Sequence, residues 1–225
     1  MFLSKLLHIE KGVFATVGSG GKTTLLHVLA RELLGRVIFS TTAHIYPPAD
    51  IPLYVGGDAT ALDVLLARHN RVAVGTPDES GKLVPSPLPF AALRDLADYV
   101  LVEADGSRGL PMKAHAPYEP ILPEIPHRAL CVLGAAGFGR RIADAAHRPA
   151  LYAERAGVTE QAYITPAIAA RVLCAEGGLS ALFINQCDTA AQYAGARECA
   201  AHLAASGLHI PVFAGSLQEG TWICL

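Results

Sequence analysis

The decapeptide VGSGGKTTLL, Val17 to Leu26, sets three glycines, Gly18, Gly20 and Gly21, directly before Lys22, Thr23 and Thr24. Successive backbone N–H groups in such a loop can turn toward one concavity. A helix beginning at Lys22 adds its positive dipole end, and the two together make an anion cradle. In that reading Lys22 reaches the β and γ phosphates of a nucleotide, and the Thr23 hydroxyl ligates Mg2+. The G-x-x-x-x-G-K-[ST] pattern wants a glycine six residues before the lysine, where Thr16 stands. The cradle is expected all the same, because Gly18, Gly20 and Gly21 keep the freedom to adopt φ > 0 around the phosphates. Ser19 and Thr24 complete the expected nucleotide-binding set. The competing reading is a glycine-rich turn from strand to helix with no ligand.

Further along, YVLVEADG ends an apolar run in two carboxylates, Glu103 and Asp105. Their spacing puts both on one face near the end of a strand. Acidic residues there suit a Mg2+ site opposite the loop threonine, one holding the metal and the other orienting water or a second metal. Taken alone, they would be ordinary surface groups leaving a strand. TTAHIYPP, Thr41 to Pro48, could place a hydroxyl on the metal and His44 near a transferring phosphate; a polar strand end stopped by two prolines is the plainer account. In the segment that follows the carboxylates, Ser107, Arg108, Lys113, His115 and Glu119 share one stretch. Arg108 and Lys113 are candidates to neutralise phosphate charge or hold an anionic substrate, unless they simply pair with Glu103 and Glu119. His147 and Arg148 precede a proline at an expected helix start and carry the same ambiguity.

The stretch INQCD resembles the N-K-x-D base-recognition sequence of GTP-binding proteins, which would give Asp188 the base edge and Asn185 the task of fixing the loop. Gln186 replaces the lysine, so the base, ATP or GTP, stays open. Asp188 or Thr189 could equally be no more than the N-cap of the next helix. Cys187 in the same loop reads as a packing residue.

These groups need a scaffold that gathers strand ends. Apolar, β-branched runs at 13–17, 36–40, 53–56, 71–75, 99–105, 129–135, 180–186 and 211–217 alternate with helical patterns at about 22–34, 58–70, 90–97, 166–176 and 189–206. Continuous apolar strands separated by helices predict an α/β, doubly wound, mostly parallel sheet with helices on both faces. In such sheets ligands bind beyond the carboxyl ends of the strands. A Pro-containing hairpin or flap is expected at 76–89 and a long functional loop at 106–127.

Residues 1–225 suffice for a single domain with its own core. With 18 Lys+Arg against 20 Asp+Glu, the chain lacks the broad basic surface that would hold nucleic acid. No apolar run approaches the roughly 20 residues of a membrane span. The five cysteines are odd in number and form no C-x-x-C pair, which suits a reducing compartment. The expectation is a cytoplasmic protein without nucleic-acid or membrane partners.

In order and spacing, GSGGKTTLL, TTAHIYPP, VLVEADGSRGLPMKAHAPYEP, HRP and INQCD closely resemble the YqeC-type family, described as accessory proteins of selenium-dependent molybdenum hydroxylases. The resemblance covers nearly the whole chain, and EADGSRGLPMKA is its most specific part. It implies a P-loop NTPase-like, nucleotide-binding protein that acts on selenium incorporation or on a molybdenum-cofactor intermediate of a hydroxylase. It also implies phosphate and Mg2+ binding by Gly18, Gly20, Gly21, Lys22 and Thr23, with Glu103 and Asp105 toward the metal. Three readings of the chemistry follow. One is Mg2+-dependent phosphoryl or nucleotidyl transfer, with Lys22, Glu103, Asp105, His44 and Arg108 in catalytic roles. A second is a nucleotide-gated switch or chaperone that docks on the hydroxylase, and a third is a scaffold with a degenerate site. GSGGKTT also compares with the G-T-N-G-K-T-T loop of carboxylate-amine ligases, whose additional domains this chain is too short to hold.

Overall fold

Strands buried along nearly their whole length form only where both faces are covered, and that is what the apolar runs build. The computed structural model describes residues 1–125 and 127–225; Pro126, inside the expected 106–127 loop, lies outside the described residues. By internal contacts the chain forms two compact units. The first comprises Met1–Thr16, Thr23–Gly106 and Pro120–Arg128; the second comprises Val17–Lys22, Ser107–Glu119 and Ala129–Leu225.

The first unit carries α1 (Leu3–Leu6), most of β1 (Gly12–Gly18), α2 (Lys22–Glu32) from Thr23 onward, β2 (Val37–Thr41), β3 (Leu53–Tyr54), α3 (Ala59–His69), β4 (Arg71–Val74), a hairpin of β5 (Thr76–Pro77) and β6 (Leu83–Val84), α4 (Phe90–Leu96) and β7 (Tyr99–Glu103). Five of these strands pair in parallel in the order β1-β7-β2-β4-β3. Registers Thr16↔Glu103 and Thr41↔Glu103 align the carboxyl ends of three neighbouring strands. Leu25, Leu26 and Leu29 of α2 are fully buried, as are Ile38, Leu62, Leu66, Leu93 and Val100. Asp58 caps α3 by accepting from Thr60 N–H, and Asn70 ends it at φ 57; both residues favour those positions for their local hydrogen bonding and tolerance of φ > 0.

The second unit carries β8 (Met112–Lys113), β9 (His127–Gly134) from Ala129 onward, a 3-10 turn at Ala135–Gly137, α5 (Ile142–Ala145), β10 (Ala146–His147), α6 (Pro149–Ala156), α7 (Pro166–Glu176), β11 (Leu182–Asn185), α8 (Ala190–Ala205), β12 (Val212–Ser216) and β13 (Thr221–Cys224). Its ladder runs β9-β11-β12-β13, parallel except for the final antiparallel pair. A separate two-residue ladder joins β8 and β10 in parallel.

The fold class is α/β with mostly parallel strands, consistent with a P-loop NTPase-like fold. The hairpin expected at 76–89 is the antiparallel β5–β6 pair. Two expectations change. The 106–127 segment is no uninterrupted loop, because β8 lies within it and β9 begins at His127. The chain also ends in a strand, β13, that was not expected; a short TWIC stretch behind a Gly220 turn is too brief to show a period.

Candidate functional site

The glycine-rich loop between β1 and α2 is a tight passage whose glycines are demanded by their neighbours. Gly18, Gly20 and Gly21 sit at φ +92, +80 and +123. A Cβ on each would lie 2.3 Å from the Val132 carbonyl oxygen, 2.4 Å from the Gly134 nitrogen and 2.3 Å from Asn185 Nδ2 respectively. The loop is tied down on the same sides. Ser19 N–H donates to the Val132 carbonyl at 2.8 Å, and the buried Ser19 hydroxyl donates to the Pro111 carbonyl at 2.9 Å. Asn185 Nδ2 donates to the Gly20 carbonyl at 2.7 Å, while Asn185 Oδ1 accepts from Leu217 N–H at 3.0 Å. Asn185 therefore ties the glycine loop to the end of β11. Lys22 is buried and folds back over the loop it follows: its ammonium donates to the Gly18 carbonyl at 2.7 Å and stands 3.5 Å from Ser107 Oγ.

Thr16 does not intrude on this passage. It is fully buried, belongs to the β1–β7 ladder, and its hydroxyl reaches the Val102 carbonyl at 3.3 Å. It is not among the residues at positive φ, so its backbone needs no glycine.

One peptide bond after Lys22, Thr23 turns to the acidic strand end: its hydroxyl donates to Glu103 Oε2 at 2.7 Å. Glu103 and Asp105 are 6% and 1% exposed, so these are not ordinary surface carboxylates. The threonine pair after β2 holds the end of β7 in place. Thr41 Oγ1 donates to the Glu103 carbonyl at 2.8 Å, Thr42 N–H donates to the same oxygen at 3.1 Å, and Thr42 Oγ1 donates to the Ile121 carbonyl. Thr41 and Thr42 thus position the backbone of Glu103 by their own hydrogen bonds. A buried carboxylate hydrogen-bonded to a hydroxyl is a hard-oxygen donor set of the kind Mg2+ uses together with phosphate oxygens. Among the described residues no group of three or more His, Cys, Asp and Glu side chains forms a ready-made metal cage. Thr24 is exposed on the first turn of α2.

The remaining candidates are placed as follows. His44 is largely exposed and faces the hairpin, with Nδ1 3.4 Å from Asp78 Oδ2. The Asp78 carboxyl is held below its usual range chiefly by the Ser80 hydroxyl. Asp188 is exposed, and its N–H donates to Gln192 Oε1 at 3.0 Å. The capping of α8 falls to Thr189, in a reciprocal box with Gln192. Cys187 is buried, with its thiol pushed up to about 11 by burial, which fits the packing reading. Arg108 is exposed at φ +52 in the Ser107–Leu110 turn. Lys113 pairs with Glu119 at 3.1 Å, the plainer of its two expected roles. His115 is committed to Glu176, with its N–H at 2.8 Å from Oε1 and Nδ1 at 2.6 Å from Oε2. The anchoring carbonyl of Pro111 and the partner strand residue Gly134 went unread in the sequence; a backbone acceptor has no signature in residue type.

Comparison with known proteins places these features in a family. A family model described as "YqeC protein" matches residues 14–150, a span that holds the loop, Thr41–His44, Glu103–Lys113 and His147–Arg148. A curated relative from Escherichia coli (strain K12), named "Uncharacterized protein YqeC", is 31% identical over 165 residues. That alignment takes in 67% of this chain and 62% of the relative, so the chain spans less than two thirds of the relative's length. The chain belongs to the YqeC family.

Proposed function

We propose that this protein binds a nucleotide, ATP or GTP, with Mg2+, and uses it in a hydrolytic, phosphoryl-transfer or nucleotidyl-transfer step. The observation that carries the reading is the pairing of roles at two consecutive residues. Lys22 is buried with its ammonium on the loop's own carbonyl, and Thr23 is hydrogen-bonded to a buried Glu103. A turn that served only to join strand to helix has no use for a buried lysine, whose desolvation is costly. In the proposed complex the phosphates replace the Gly18 carbonyl as the acceptor of the Lys22 ammonium, and the loop N–H groups with the α2 dipole hold the remaining charge. Thr23 and Glu103 would hold Mg2+, with the buried Asp105 as the second candidate carboxylate. When bound, that ion neutralises charge developing on the phosphates. The process we infer, maturation of selenium-dependent molybdenum hydroxylases, rests on family membership and on the EADGSRGLPMKA resemblance.

A second reading is supported by the 3.5 Å contact between Lys22 and Ser107. Drawing the Lys22 ammonium onto a γ phosphate would release Ser107 and the segment behind it. The nucleotide would then gate docking on a hydroxylase without chemistry on a small molecule.

Calorimetric titration with ATP and GTP, each with and without Mg2+, tests the first reading, with Lys22→Ala and Glu103→Gln as variants. The expected result is binding that disappears in Lys22→Ala and loses its Mg2+ dependence in Glu103→Gln. Nucleotide binding undiminished in Lys22→Ala would remove the phosphate-loop assignment. Hydrolysis accelerated by a partner, with no modified small molecule, would select the switch over the enzyme.

A further inference from the structure

At the carboxyl end of β11 one residue carries two unfavourable features at once. Gln186 is not glycine, yet its backbone stands at φ 61, a region that L side chains rarely adopt. Its side-chain oxygen, Oε1, is buried and accepts no hydrogen bond among the described residues. A buried acceptor in that state forfeits its hydration with nothing in return. The rest of the turn is well made. Asn185 holds the Gly20 carbonyl and the Leu217 N–H, and Cys187 N–H donates to the Gly215 carbonyl at 3.0 Å. Both anomalies therefore fall on Gln186.

The amide lies against the wall of the glycine-rich loop, and every residue of this contact belongs to the second unit. A Cβ on Gly134 would be 2.2 Å from Gln186 Oε1 and 2.9 Å from Pro111 Cβ. Gly134 stands at φ −97, which any residue adopts, so its lack of a side chain is what gives the amide its room. Gly134 in turn meets Gly20, whose own Cβ would lie 2.4 Å from the Gly134 nitrogen. A single backbone residue thus separates the Gln186 amide from the loop, at the carboxyl end of the strands where parallel α/β sheets bind ligands. A primary amide offers one acceptor and one donor side by side. Adenine presents the matching pair, its exocyclic amine beside a ring nitrogen, on both of its hydrogen-bonding edges. Guanine presents a matching pair on one edge and two acceptors on the other.

We propose that Gln186 selects the base of the bound nucleotide and that this base is adenine: the side chain rotates away from Gly134, its oxygen accepts from the exocyclic amine, and its amide nitrogen donates to the neighbouring ring nitrogen. This rests on the nucleotide reading above, which it narrows from two bases to one. The unpaired oxygen then has a partner, and the strained backbone a use, since it holds the half-buried side chain at the strand end where the base arrives. Asp188, exposed two residues on, offers only acceptors when ionised. Those suit guanine's adjacent donors, so a preference for GTP would assign the base to Asp188 instead.

The test is a double-mutant cycle on the full chain, read by calorimetry in the presence of Mg2+. The ligands are ATP, purine riboside triphosphate, which is ATP without its exocyclic amine, and GTP. The proteins are wild type and Gln186→Met, which keeps the length of the side chain and removes the amide. Wild type should bind ATP about tenfold or more tightly than either analogue, the worth of one bidentate base contact. In Gln186→Met the three affinities should converge on the weaker value. Thermal unfolding without nucleotide is the second readout. Gln186→Met loses the unpaired oxygen and Gln186→Gly also escapes the φ constraint, so both should unfold at or above the wild-type midpoint. Equal binding of ATP and its amine-free analogue by wild type, or a preference for GTP, overturns the proposal and leaves the nucleotide reading standing. So does a Gln186→Met variant that unfolds earlier and weakens all three ligands alike, which makes Gln186 a wall of the loop and no more. Failure of all three ligands to bind wild type removes the nucleotide reading, and this one with it.

Discussion

Restoring the missing glycine of the phosphate-loop pattern, Thr16→Gly, should weaken the protein without improving the proposed nucleotide site. The Thr16 side chain is fully buried and its hydroxyl is 3.3 Å from the Val102 carbonyl. The substitution deletes a buried methyl, worth about 0.8 kcal/mol in transfer, and a hydrogen bond at the weak end of about 0.5–1.5 kcal/mol. It adds about 0.5–1 kcal/mol for glycine inside a strand and leaves a small cavity. The total is about 2–4 kcal/mol, which for a chain of this size corresponds to a fall in Tm of roughly 4–16 °C. Urea unfolding read by circular dichroism measures the loss, and calorimetry with nucleotide and Mg2+ measures the site. The expected outcome is a lower unfolding midpoint with affinity unchanged or reduced. A variant as stable as wild type, or one binding nucleotide about tenfold tighter, would refute the argument that Thr16 belongs to the strand and not to the cradle.

Other perturbations follow from the same contacts. Asn185→Ala removes both the Gly20 and the Leu217 hydrogen bonds and should cost about 2–3 kcal/mol together with most nucleotide affinity; retention of both in denaturation and binding assays would dissociate Asn185 from the loop. Gly20→Ala places a Cβ 2.4 Å from the Gly134 backbone nitrogen, a contact no side-chain rotation relieves, so loss of soluble folded protein or of nucleotide binding is expected. Thr23→Val keeps shape but not the bond to Glu103, and should leave nucleotide affinity insensitive to Mg2+ in paired titrations. His147 has its pKa lowered to about 4 from 6.5. Its contribution is therefore fully present above about pH 6.5 and lost as pH falls toward 4, because the unfolded chain takes up the proton first. After allowance for its partial exposure, about 1–2 kcal/mol should disappear over that window. His147→Gln should flatten that part of the stability profile.

The fold was legible because its strands are continuous apolar runs, and burial on both faces writes itself into composition. The α7 boundaries, Pro166 to Glu176, were readable because proline favours the first helical turn and Gly177 ends the helix. By contrast β8 and β10 are two-residue strands, too short for any period. Of the site, Lys22, Thr23 and Glu103 were legible by residue type and spacing, and Asn185 by its motif. The partner of Arg148 was not, because Glu119 lies twenty-nine residues away and only the β8–β10 register brings them together. His44 illustrates the reverse. Its type suited chemistry, but the hairpin at 76–89 supplies Asp78 as its partner, a contact set by tertiary structure alone.

The glycines themselves say less about nucleotide than their pattern suggests. Each of Gly18, Gly20 and Gly21 is required where it stands by an atom of β9 or β11 within 2.4 Å of the Cβ it lacks, whether or not phosphate ever enters. A tight strand-to-helix turn packed against two neighbouring strands would select the same three residues for steric reasons alone. That explanation does not extend to Lys22. Alanine or leucine would fill a buried first helical position without the desolvation that an ammonium undergoes there. Nor does it extend to Thr23, whose hydroxyl meets a carboxylate that is itself buried. Steric fit therefore accounts for the glycines, and the lysine, threonine and glutamate are the residues on which the proposed nucleotide site rests. Substitutions at the glycines will disrupt the loop under either account. Only those at Lys22, Thr23 and Glu103 can tell a nucleotide site from a well-packed turn.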